Sequence, residues 1–85
     1  MSKGKLLGTK GTSRTDIFFT THDENAANIL IDTIKSKYKV LKISRSKVLS
    51  EFYYVSLEGK VKDVESIVSR IKGITWYKID YIEFR

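Results

Sequence analysis

Two hydrophobic periods alternate along the chain. Residues 16–21 (DIFFTT) are rich in β-branched and aromatic side chains; in an extended strand Ile17 and Phe19 share one face, and Phe18 and Thr20 the other. The Thr21-His22-Asp23-Glu24 segment then places a hydroxyl three residues ahead of a carboxylate, as a capping box requires. Beyond it the period becomes helical. Ala27, Leu30, Ile31, Ile34 and Tyr38 fall on one helix face, and lysines crowd the C-terminal end, where the helix dipole favours cations. A second strand is predicted over residues 40–44 (VLKIS), with Leu41 and Ile43 facing the core. A third follows over residues 51–57, ended by Glu58-Gly59-Lys60. Asp63 is placed to cap a second helix in which Val64, Ile67, Val68 and Ile71 repeat the helical spacing, with Gly73 at its C-terminal glycine position. Residues 75–84 (TWYKIDYIEF) read as a fourth strand.

The order βαββαβ predicts a ferredoxin-like α+β fold: a four-stranded antiparallel sheet with both helices on one face. The 85 residues suit one domain, expected over residues 15–85 behind a flexible basic tail at 1–14. Ile17, Phe19, Leu41, Ile43, Tyr53, Val55 and Leu57 are the expected inward set. The fourth strand is ambiguous, because Trp76, Ile82 and Phe84 oppose Tyr77, Ile79 and Tyr81.

No third helix remains to cover the far face of such a sheet. That face would carry Phe18 and Thr20, Lys42 with Val40 as a further candidate, and Phe52, Tyr54 and Ser56. Ile17-Phe18-Phe19 resembles the start of the RNP2 motif of RNA-recognition-motif domains, and Phe52-Tyr53-Tyr54-Val55 resembles the aromatic centre of RNP1. Ser50 and Glu51 stand where RNP1 opens with a basic residue and a glycine. The resemblance implies that Phe18, Phe52 and Tyr54 stack on RNA bases. A protein interface, including a homodimer through the open sheet, is the alternative use of the same three rings.

Charge sharpens this picture. Of 16 basic residues, Lys3, Lys5, Lys10 and Arg14 lie in the first 14 residues. Lys35, Lys37, Lys39, Lys42, Arg45 and Lys47 lie in residues 35–47, and neither segment contains an acid. The net +6 is therefore confined to two segments, and such confinement points to a polyanionic partner. The six cations of residues 35–47, with Lys10 and Arg14, are the candidate phosphate contacts. Nothing in the pattern reads base sequence, so structured or single-stranded RNA held through its backbone is the expected ligand.

Other chemistry has little to work with. There is no cysteine, no proline and one histidine, so disulfides, thiol chemistry and a zinc site are not expected. His22, Asp23 and Glu24 read as helix-start residues rather than as catalytic groups or Mg²⁺ ligands, and no cofactor is implied. No apolar run reaches the ~18 residues of a membrane span and no secretory signal is evident, so a cytoplasmic protein without membrane contact is expected. A short, cysteine-free, Lys-, Ile- and Tyr-rich basic domain resembles the small accessory proteins of T4-like bacteriophages, among them inhibitors of host endoribonuclease toxins. That resemblance implies a non-catalytic RNA-binding inhibitor acting with RNA on a toxin in the host cytoplasm. The competing expectation is a protein-binding or homodimerising regulatory module with no nucleic-acid role.

Overall fold

A computed structural model describes residues 13–84. Along the chain run β1 (Ser13–Thr20), α1 (Glu24–Lys37), β2 (Val40–Arg45), β3 (Phe52–Glu58), α2 (Val64–Arg70) and β4 (Trp76–Glu83). The strands form one antiparallel sheet in the order β2-β3-β1-β4, which with two helices gives the ferredoxin-like α+β fold. β1 starts three residues before the predicted position, so Ser13 and Arg14 belong to the sheet rather than to a tail. Lys10 and the other tail lysines lie outside the described residues.

Both helices turn their apolar stripes to the two central strands. Ile17 and Phe19 of β1 and Tyr53, Val55 and Leu57 of β3 meet Ala27, Leu30 and Ile34 of α1 and Val64 and Val68 of α2. Phe19 and Tyr53 are cross-strand partners whose rings stack 5.0 Å apart and nearly parallel. Burying side chains of this size contributes about 1.5–3 kcal/mol each, so these two strands anchor the fold.

Leu41 and Ile43 depart from the expected inward set, being 50% and 40% exposed. β2 is an edge strand, and the helices' stripes are used up on β1 and β3. A register shift between Val40 and Lys42 adds a second effect: Val40 pairs with Leu57 and packs against the core instead of facing outward, while Lys42 pairs with Ser56 on the open side. In β4 the ambiguity resolves in favour of Tyr77 and Ile79, which pack against the core, leaving Trp76, Lys78, Asp80 and Ile82 on the other face.

The helix ends also differ from expectation. Asp23, not Thr21, caps α1, its Oδ1 accepting from the Asn25 N–H at 2.9 Å. Thr21 is buried and does something else. Its hydroxyl accepts from the Asp23 N–H (3.0 Å) and donates to the Gly73 carbonyl (2.7 Å), tying the start of α1 to the chain leaving α2. Asp63 sits at the start of α2 without a side-chain cap bond; its carbonyl instead accepts from the N–H and hydroxyl of Ser66. Gly73 has φ +99°, and a Cβ there would lie 3.0 Å from the Ala26 Cβ, so both the turn and the close approach need glycine. Among the described residues no helix is long and apolar enough to cross a membrane.

Candidate nucleic-acid interface

Cross-strand register places the outward side chains of neighbouring strands side by side. Phe18 lies between Tyr54 on β3 and Lys78 on β4, and Thr20 lies between Phe52 and Trp76. Phe18 contacts Tyr54 (ring centroids 5.1 Å) and Phe52 (6.3 Å, edge-on), and Phe52 reaches Trp76 (6.1 Å). The three expected rings are thus brought together, and Trp76 joins them as a fourth that the sequence left undecided. Its signal was strand parity alone, which became readable only once Tyr77 and Ile79 were placed in the core.

Below the rings, in the next row, lies Asp16. It sits in the middle of β1 rather than at its start, and is 3% exposed although it belongs to the open face. Its Oδ1 accepts from the Tyr54 hydroxyl (3.1 Å) and the Ser56 hydroxyl (2.9 Å), and its Oδ2 accepts from Arg14 Nε (3.2 Å). A buried carboxylate is tolerated only when its charge is answered in this way. The arrangement fixes the tilt of the Tyr54 ring by its far end. It also occupies Arg14, whose guanidinium lies 5.5 Å from the Phe84 ring centre.

The basic segment divides into two groups. Arg45 pairs with Glu24 (3.1 Å), donates from Nε to the Ser50 carbonyl (2.6 Å) and lies 5.0 Å over the Tyr53 ring, on the helix side of the sheet. Lys39 pairs with Glu58 at 3.6 Å. Lys35 and Lys37 at the end of α1, Lys42 on β2 and Lys47 in the β2–β3 hairpin are exposed and form no ion pair among the described residues. Of these four only Lys42 lies within β2; Lys35 and Lys37 end the helix that precedes it, and Lys47 lies in the hairpin that follows. The open face itself is nearly balanced: Lys42, Lys78 and Arg14 stand among Asp16, Asp80 and Glu58, and Lys78 leans to Asp80 at 3.9 Å.

Arg45 and Arg14, both expected to hold phosphate, are therefore committed to intramolecular partners, and Lys39 is partly so. Asp23 is spent on the helix cap and Glu24 on Arg45, and among the described residues no group of three or more His, Asp or Glu side chains is placed to hold a metal ion. No pocket is present among them either, so the candidate surface is a platform with a basic edge. No protein-family model, curated protein or solved structure matches the chain.

Proposed function

We propose that this protein is a non-catalytic binder of single-stranded RNA. Bases stack on Phe18, Phe52, Tyr54 and Trp76, and the backbone phosphates contact Lys42 of β2, Lys47 of the hairpin, and Lys35 and Lys37 at the end of α1. The observation that carries the reading is the four-ring platform on a sheet whose edge strand β2 carries the exposed Lys42, with Lys47 in the hairpin beyond, neither of them in an ion pair among the described residues. Stacking contributes about 1–3 kcal/mol per base and tolerates any base, which suits a surface with no pocket to select one. Four phosphate contacts to a single strand give a dependence of log affinity on log salt of about −2.8. The likeness of the Ile17-Phe18-Phe19 and Phe52-Tyr53-Tyr54-Val55 stretches to RNA-recognition motifs supports the same use of the sheet. The whole-chain resemblance to phage accessory proteins, TifA in particular, extends the proposal. On that reading the protein carries RNA into an inhibitory assembly with the ToxN endoribonuclease toxin in the host cytoplasm.

Trp76 is the sole tryptophan and lies on the platform, so it reports directly. Titration with a single-stranded oligonucleotide quenches its emission, and Lys37, Lys42 and Lys47 replaced together by Glu removes binding at about 150 mM salt without unfolding the chain. Undiminished binding by that variant overturns the proposal. The near-neutral charge of the sheet face favours one competing reading, a protein interface through the same rings. Phe52→Ala with Tyr54→Ala then changes the mass seen by light scattering and leaves RNA affinity untouched.

A further inference from the structure

We propose that the outer edge of β2, which pairs with no strand among the described residues, docks an extended segment of a partner protein, one in which acidic and apolar residues alternate, as a fifth strand of the sheet. β1 and β3 each bury one face, but residues 41–45 of β2 are exposed on both, and they include Leu41 and Ile43. The hairpin beyond adds Val48, 90% exposed. Apolar side chains on an uncovered edge invite strand addition.

The backbone groups of β2 that β3 does not engage can be named. The Ser46 N–H donates to the Phe52 carbonyl at 2.9 Å, in the same register as Arg45↔Tyr53 and Ile43↔Val55. Antiparallel ladders alternate between bonded and non-bonded pairs, so Ser44 and Lys42 bond inward to β3 while Ile43 and Arg45 turn their N–H and C=O groups outward. A strand laid there sets its side chains beside Ile43 on the helix face and beside Lys42 on the open face. The first position favours an apolar residue and the second an acid.

Charge selects the occupant. Residues 35–47 contain no acid, so pairing two copies edge to edge sets like charges together. The opposite edge, β4, mixes Lys78 with Asp80 and Glu83 and offers an acidic segment no such preference. An RNA strand supplies neither ladder donors and acceptors nor an aliphatic cover for Ile43. The inference does not rest on RNA binding, because a strand added in the plane of the sheet leaves the aromatic face open.

The test is amide hydrogen exchange on the full chain, with a short peptide of alternating valine and glutamate as the probe. In the free protein the Ile43 and Arg45 amides exchange fast. With the peptide they slow at least tenfold, and Trp76 emission is unchanged. Lys42→Glu lowers affinity for this peptide about fivefold and raises it for the valine–lysine counterpart by a similar factor. Ile43→Pro removes an outward N–H without breaking the ladder to β3 and abolishes binding; should that variant not fold, the Lys42 exchange of preference decides. Equal binding of the two peptides, or no protection from either, overturns the proposal. So does protection that rises with protein concentration alone, which assigns the edge to a second copy. Protection by an oligouridylate and not by peptide overturns it as well, and assigns the edge to RNA.

Discussion

The Tyr54 hydroxyl donates to Asp16 Oδ1 at 3.1 Å, joining the aromatic platform to a carboxylate buried in the same sheet face. Three donors from three residues converge on Asp16, so the residue and its partners stand or fall as a network. Tyr54→Phe removes one donor and leaves two, and is expected to cost about 1–2 kcal/mol. Asp16→Ala strands the Ser56 hydroxyl and unpairs Arg14, and is expected to cost about 3 kcal/mol. Urea unfolding of the two variants checks the ranking; an Asp16→Ala cost no larger than that of Tyr54→Phe denies Asp16 a central role.

Two glycines with positive φ separate backbone strain from crowding. Gly59 has φ +84° with open space around its Cβ position, so Gly59→Ala is expected to cost about 1 kcal/mol through conformation alone. Gly73→Ala adds the 3.0 Å approach to Ala26 and loosens the turn that positions the Thr21 bond, and is expected to cost about 2–3 kcal/mol. Equal midpoints for the two variants in denaturant contradict this.

Arg45 and Lys42 share a strand but not a role. Arg45→Ala loses the cover over Tyr53 and a half-exposed ion pair, for an expected stability loss of about 1 kcal/mol and little change in RNA affinity. Lys42→Ala is expected to leave stability within about 0.5 kcal/mol and to weaken RNA binding with a shallower salt slope. Thermal melts and fluorescence titrations of both variants test the crossing pattern.

Alkaline pH acts through two tyrosines. Burial, and then Glu65, push the Tyr77 hydroxyl above the ordinary tyrosine value of 10.0, and burial with Asp63 does the same to Tyr38. The folded state holds these protons more tightly than the unfolded chain, so their contribution is intact below pH 10 and is lost as pH rises through the folded values. Tyr77→Phe is expected to flatten the decline above pH 10, which denaturant midpoints across that range measure.

The alternation of hydrophobic periods was enough to determine the element order, the ferredoxin-like fold, the core role of Ile17, Phe19, Tyr53, Val55 and Leu57, and the outward aspect of Phe18, Phe52 and Tyr54. Those features depend on spacing within single segments, which local backbone geometry translates directly into faces. Only the tertiary structure decided the rest, because each item turns on what lies across a strand pair or beneath a helix. Leu41 and Ile43 have a core pattern but occupy an edge the helices do not cover. Trp76 could face either way until Tyr77 and Ile79 filled the core. Arg45 looks like a free cation in sequence and is held by Glu24 and the Tyr53 ring, and Arg14, beside Asp16 on its own strand, also meets the Phe84 ring from the far end of the chain. Periodicity assigns a side chain to a face; whether that side chain is covered, paired or left to a ligand depends on neighbours that only folding brings within reach.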